Sequence, residues 1–248
     1  MSVETIQEEK PHPLEEGEEA REAARESFGV PVYTCVLITC IVAVTLVQFY
    51  AGLEASVDAA GFDKPQFAAG EYWRILTGAA LHGGLMHIFF NSYAFYSFGR
   101  LFEFLSNRAH LAIAFLLSAV AGGVLSFIFK PDGTSVGASG GILGIVGYLT
   151  VYAFRRRQFV SREFRKSLLM NIGFILLFGF VLYQVVDNYG HIGGLVCGAV
   201  YGFLQIPTDP YRDPREAGKF AETAGLAAMG IFIAVSAFSI YLILTFGS

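Results

Sequence analysis

The sequence predicts an all-α fold, a polytopic bundle of transmembrane helices, on three observations. Apolar residues make up 54% of the 248 positions and charged ones only 15%, with a mean hydropathy of +0.53, too apolar for an ordinary soluble domain of this size. Seven stretches, near 31–53, 79–99, 109–129, 139–154, 167–186, 189–206 and 225–246, are apolar enough to serve as spans, a crossing taking roughly 17–25 residues. Basic residues gather in alternate connections. With residue 1 in the cytoplasm, fourteen of the seventeen Lys and Arg fall on the inner side and only Lys64, Arg74 and Lys130 outside, the bias the positive-inside rule requires. The N-terminus is therefore expected in the cytoplasm and the C-terminus outside.

Residues 1–29 hold nine acids against three bases. They are expected to form an acidic cytoplasmic tail, disordered or with a short solvated helix over 15–26, and carry no chemistry. The tail lacks the basic flank and short apolar core of a signal peptide, and its acidity argues against a mitochondrial transit peptide. Cys35, Cys40 and Cys197 all fall within predicted spans without metal-ligand spacing. They read as small buried apolar residues, with no disulfide or zinc site implied.

Span two carries His87 and Asn91 at i, i+4, on one stripe of a helix. They form either an interhelical polar clamp or a pair of hydrogen-bond donors aimed at a developing oxyanion, a role worth about 3–4 kcal/mol per donor in a transition state. His82, nearer the surface, and His110, on the inner side, read as structural; His12 lies in the tail. Span four is short: Ser139 to about Phe154 is 16 residues, roughly 24 Å against a hydrocarbon thickness of about 30 Å. Ser139 should therefore lie below the outer surface, beneath the loop 130–138. Non-helical backbone at that depth needs a cavity or protein around it, so a hydrated pocket open to the outside is expected.

Ser139 opens span four between Gly137 and Gly140. Unpaired N–H groups and the helix dipole there favour an anion such as a tetrahedral oxyanion. Serine is also a common N-cap, the second reading of this position. Gly137-Ala138-Ser139-Gly140-Gly141 fits the G-x-S-x-G pattern too, but a soluble-hydrolase elbow needs a strand before the serine, and here a turn-rich loop precedes it. His191, the only histidine after Ser139, is either a general base or a polar residue satisfied between helices. Gly194, Gly198 and Gly202 follow it in a small-xxx-small ridge that lets two membrane helices approach closely. Asp187, four residues before His191, is either a third member orienting the ring or a solvated helix end.

These residues carry a family resemblance. Trp73-Arg74, His82, His87-Ile-Phe-Phe-Asn91, Gly99-Arg100-Leu-Phe-Glu103, Gly137-Ala-Ser139-Gly140 and His191-Ile-Gly-Gly194, spread over roughly residues 70–204, resemble the rhomboid intramembrane serine proteases. The resemblance implies a six-helix protease core over 30–206 with a Ser139–His191 catalytic dyad. It implies an oxyanion hole from the Ser139 backbone N–H with His87 and Asn91, a structural Trp73-Arg74 loop beside the core, and stabilising contacts by Glu103 at the inner end of span two. No metal or cofactor is needed. Two features depart from the pattern. Leu143 stands where some bacterial members carry an aromatic that packs on the imidazole, and a linker at 207–224 leads to a seventh helix over 225–248.

The expected function is a serine endopeptidase in the plasma or bacterial inner membrane, acting on single-span or other membrane-protein substrates from within the bilayer, with no nucleic-acid partner. The alternative is a non-catalytic rhomboid-like protein that binds membrane clients, whose usual mark is loss of the serine or histidine. A transporter would want ionisable residues through both halves of the bilayer, and the inner halves of these spans nearly lack them.

Overall fold

The computed structural model describes residues 29–247; the acidic tail expected over 1–29, with its helix at 15–26 and His12, lies outside the described residues apart from Gly29. The elements run α1 (Val32–Ala51), α2 (Leu53–Ala60), β1 (Phe62–Asp63), α3 (Lys64–Ala68), α4 (Arg74–Ala80), α5 (Leu85–Leu105), α6 (Arg108–Phe129), β2 (Thr134–Ser135), α7 (Ser139–Arg155), α8 (Arg162–Val181), α9 (Asn188–Gln205) and α10 (Lys219–Phe246). The fold is an all-α polytopic bundle, and each of the seven apolar stretches lies on one of its long helices.

Three helix starts differ from the sequence expectation: the seventh helix begins at Lys219, inside the linker expected over 207–224, and two others shift for local reasons. The stretch expected to start at 79 divides into α4 and α5: α4 stops at Leu81, whose backbone is extended (φ −85°, ψ 158°), and α5 starts after Gly84, whose φ of +139° suits glycine. The stretch expected at 167 starts at Arg162 instead. Ser161 caps α8 by accepting from the Phe164 N–H at 3.1 Å, so the charged run Arg162–Lys166 is helical although hydropathy reads it as loop.

Among the described residues, α1, α6, α8 and α10 are long and apolar enough to cross a membrane by length and composition. The remaining long helices, α5, α7 and α9, are those that carry His87 and Asn91, Ser139, and His191. Polar side chains and glycines lower their hydropathy, so these three depend on neighbouring helices more than on lipid.

Helix α9 sits against α7 and α6. A Cβ on Gly194 would fall on the Gly140 carbonyl oxygen, one on Gly198 on the Gly144 carbonyl, and one on Gly147 on the Leu195 carbonyl. Gly202 meets Tyr148 at 3.1 Å in the same way. The ridge expected on α9 therefore faces a second ridge on α7, and the two backbones touch.

Polar contacts fix the ends of the bundle. The N-terminus of α1 has no side-chain cap of its own. Glu103 of α5 supplies one, accepting from the Thr34 N–H and Oγ1 at 2.7 Å each and from the Tyr33 N–H at 3.4 Å, a carboxylate on the positive end of a helix dipole. At the opposite end, Arg74 is only 4% exposed. Its guanidinium donates to the carbonyls of Gly61 (2.9 Å) and Asp58 (3.1 Å), to Glu71 (2.6 Å) and to Gln66 Oε1, and lies 4.6 Å from the Trp73 ring centroid. His82 is fully buried within the bundle, and Gln48 of α1 bonds both its backbone N–H (2.9 Å) and its carbonyl (3.2 Å). His110 Nδ1 pairs with the Tyr201 hydroxyl at 2.7 Å.

Helix α10 runs along α6 and α1. Gly225 meets Ala109 at the start of α6, Phe232 packs edge-on against Phe115 at 5.1 Å, and Phe238 packs edge-on against Trp73 at 5.5 Å. It starts beside the first turn of α6 and finishes beside the Trp73 loop, so residues 29 and 247 lie at opposite ends of the bundle. Gly198→Ala is expected to destabilise the protein by about 1–3 kcal/mol through overpacking against the Gly144 carbonyl, read as a lowered unfolding temperature in detergent.

Candidate active site

Ser139 begins α7, and the N-cap is Ala138, whose backbone is helical (φ −72°, ψ −3°). No side chain caps this helix. The cap reading of Ser139 therefore does not hold: its hydroxyl faces His191, with Oγ 2.9 Å from Nε2. The backbone N–H groups of the first turn of α7 are left for another acceptor. Gly137, just before the turn, has φ +124° and donates its N–H to the Gly78 carbonyl at 2.9 Å. That left-handed residue swings the chain from the loop into the helix and leaves the edge of the site open.

His191 lies in the first turn of α9 and is 8% exposed. Its close approach to Ser139 follows from the glycine ridges: Gly140, next to the serine, is 3.4 Å (as a built Cβ) from the carbonyl oxygen of Gly190, next to the histidine. Among the described residues Nδ1 of His191 meets no hydrogen-bond partner. For Nε2 to accept the serine proton, Nδ1 must carry the ring hydrogen. Leu143, one turn along α7 from Ser139, is buried.

His87 comes to the same place from α5. The Gly83 N–H donates to its Nδ1 at 3.2 Å, which puts the ring proton on Nε2. That edge faces the loop before Ser139: a Cβ on Gly137 would lie 2.8 Å from both Nε2 and Cε1 of His87. His82 stacks edge-on behind it at 5.0 Å. Asn91 is buried one turn further along α5, and its Nδ2 donates to the His87 carbonyl at 2.9 Å, one of the two hydrogens its amide offers. A small cavity of ≈ 50 Å³ opens beside Ser139, lined in part by Gly137, Gly140, Gly190, Ser135 and Asp187.

Asp187 is neither a partner of the imidazole nor a solvated end. It is the N-cap of α9, with Oδ1 accepting from the Gly190 N–H at 3.0 Å. Oδ2 accepts from Ser135 Oγ at 2.6 Å and from Ser126 Oγ, and lies 4.0 Å from Lys64 Nζ. Burial pushes the Asp187 carboxyl up, but the hydrogen bonds from Ser126, Ser135 and Gly190 and the Lys64 charge outweigh it, leaving the carboxyl below its ordinary range. Burial holds the Lys64 ammonium below its ordinary value, with Asp187 opposing. The sequence reading gives Lys64 only a side of the membrane and does not single out Ser126 or Ser135. The usable signal was the Asp187-x-x-Gly190 spacing at a helix start, which marks an N-cap.

With this geometry in place, the chain can be compared with known proteins. The Rhomboid domain model matches residues 69–208, more than half of the chain. The chain belongs to the rhomboid family. It is 33% identical over 188 residues to Rhomboid protease GluP of Bacillus subtilis, covering 74% of this chain and 37% of that protein. It is 29% identical over 164 residues to RHOMBOID-like protein 6, mitochondrial, of Arabidopsis thaliana, covering 62% of this chain and 51% of that one. It is also 31% identical over 137 residues to Inactive rhomboid protein 1 of Homo sapiens, covering 55% of this chain and 16% of the human protein. The chain thus spans about a third of the length of GluP and about half of the Arabidopsis protein. Family membership and the four apolar helices make it an integral membrane protein.

Two outcomes follow from the site. Because the folded pKa of Asp187 lies below the unfolded value, its stabilising contribution is fully present above about pH 3.9 and is lost as pH falls through the folded value. Unfolding temperatures measured in detergent should therefore drop in that acid window, and Asp187→Asn should remove this part of the drop. Gly137→Ala should impair the site twice, by strain at positive φ and by contact with His87, seen as lost activity in a protein that still folds.

Proposed function

We propose that this chain is a serine-type intramembrane endopeptidase that cuts transmembrane segments of membrane proteins near the outer face of the bilayer, with Ser139 as nucleophile and His191 as its base. The reading rests above all on the 2.9 Å approach of Ser139 Oγ to His191 Nε2 at the start of a helix that no side chain caps. A serine hydroxyl is a weak nucleophile until a base within hydrogen-bond reach takes its proton. His191 accepts that proton as Oγ attacks the scissile carbonyl, then returns it to the leaving amine; water hydrolyses the acyl-enzyme by the reverse sequence. The Ser139 backbone N–H and the His87 Nε2–H hold the oxyanion, and Asn91 contributes its remaining amide hydrogen.

The substrate is a single-span or other membrane protein whose helix unwinds near its outer end, since a continuous helix hides its carbonyls in hydrogen bonds. Glycine or another helix-breaking residue is expected near the cut. The distribution of Lys and Arg supports a cytoplasmic N-terminus and an external C-terminus, in a plasma or bacterial inner membrane. Residues 30–206 form the six-helix protease core, and a linker from 207 leads to the added helix α10 (Lys219–Phe246). Similarity to a protein named as an inactive rhomboid favours a second reading, a membrane-client binder that does not cut. The presence of both Ser139 and His191 favours the first.

Detergent-solubilised protein incubated with a fluorogenic single-span substrate separates the two readings. Wild type should cleave, with Ser139→Ala and His191→Ala at background. His87→Ala and Asn91→Ala should each lower kcat by about 10²- to 10³-fold, the usual cost of losing one oxyanion donor. Equal cleavage by wild type and both dyad variants would refute the protease assignment.

A further inference from the structure

The glycine ridges that bring α7 and α9 together fix how closely the helices approach, but they do little to fix height. Tyr148 meets Gly202 further down the two helices, but at Gly140 and Gly194, next to the dyad, the facing helix offers only backbone, so no bulky side chain interlocks there to set the height. The height of His191 relative to Ser139 has to be set elsewhere, and an effective proton transfer depends on it, since a displacement near 1 Å can cost 10²-fold in rate.

The polar chain at the outer ends of these helices has the geometry to set it. Ser135 stands four residues before Ser139, and Asp187 four residues before His191. Ser135 Oγ donates to Asp187 Oδ2 at 2.6 Å and accepts from Lys64 Nζ at 2.9 Å. Ser126 of α6 adds a second donor to the same carboxylate oxygen, and Gly190 of α9 occupies the other. Lys64 is fully buried. It is anchored in turn by the β1–β2 pairing, Phe62 opposite Ser135 and Asp63 opposite Thr134, and by its own N–H to the Gly133 carbonyl at 3.3 Å. The start of α3, the segment leading to Ser139, α6 and the start of α9 therefore meet at one carboxylate. Burying an ion pair is seldom the cheapest way to stabilise a fold, and apolar residues of similar size often do as well.

We propose that Lys64 and Asp187 are positioning residues: the Lys64–Ser135–Asp187 chain, built on the buried Lys64 and the half-buried Ser135 and Asp187, is a strut that fixes the height of His191 on α9 against Ser139 on α7. This rests on the serine-protease reading above. Neither residue touches the substrate; both act through the segments that carry the dyad.

The test uses the full-length protein in detergent with the fluorogenic single-span substrate, as wild type, Lys64→Met, Asp187→Asn and the double variant, with kcat, KM and unfolding temperature measured for each. Each single variant should lose about 10- to 100-fold in kcat with KM little changed, and each should unfold at a lower temperature because one buried charge is left unpaired. The double variant should regain much of the unfolding temperature, both charges being gone, while its kcat stays as low as that of the worse single. A kcat that recovers together with the unfolding temperature would reduce the pair to ordinary stabilisation and overturn the proposal, as would wild-type kcat in either single variant. If wild type cleaves no better than Ser139→Ala, the protease reading fails and amide hydrogen exchange judges the strut by itself. Faster exchange over residues 188–194 in both single variants supports it, and unchanged protection overturns it.

Discussion

The contact on which the rest of this structure depends is backbone on backbone, between α7 and α9. Gly140, Gly144 and Gly147 on one helix meet Gly190, Leu195 and Gly198 on the other with no side chain between. Only this lets a hydroxyl and an imidazole on two separate helices come within 2.9 Å of each other. A single methyl group in the seam would move the helices apart by more than a hydrogen bond tolerates. The lack of side chains in the seam is thus as much a part of the site as the serine and histidine. It also accounts for the absence of α7 and α9 from the four helices that are long and apolar enough to cross a membrane by length and composition: their glycine faces suit protein rather than lipid.

Buried polar groups elsewhere share one logic, in which each closes off the end of a helix or a turn that would otherwise carry unpaired backbone groups. Glu103 caps α1 from α5, Arg74 gathers the Asp58 and Gly61 carbonyls, Gln48 satisfies both backbone groups of His82, and Asp187 caps α9. Within a bilayer such groups have no water to fall back on, so each must be met by a specific partner. The result is a bundle whose helix ends are tied by polar bonds and whose middles are packed with small and aromatic side chains. Ser139 and His191 lie at the boundary between those two regimes, and beside Ser139 is a cavity of ≈ 50 Å³.

Much of this was legible in the chain and some of it was not. Stretches of about twenty apolar residues announce long helices because the pattern is local, and glycines at every fourth position before and after a lone histidine announce a close helix contact. Ser139 and His191 stand out because a hydroxyl and an imidazole in such sequence need a reason to be there. Helix starts were less legible where glycine breaks an apolar run, as at Gly84, or where a capped helix begins in charged sequence, as after Ser161. The Asp187 cluster was hidden for a different reason. Four-residue spacing suggested a shared face with His191, whereas the residue stands one step before the helix and turns its carboxylate back onto the first turn. Its partners Lys64, Ser126 and Ser135 come from three other elements, and nothing in their own surroundings marks them.

The segment that matches the family, residues 69–208, is smaller than the unit that packs together. Helix α1 lies before it and α10 after it, yet α1 receives the Glu103 carboxylate, and α10 covers Phe115 and Trp73 with Phe232 and Phe238. Trimming the chain to the recognisable motif would strip α1 from α5 and α10 from α6, uncover the Phe115 and Trp73 rings and leave the half-buried Glu103 without its donors. The boundaries that evolution keeps visible in sequence are therefore not the boundaries of cooperative folding in this molecule.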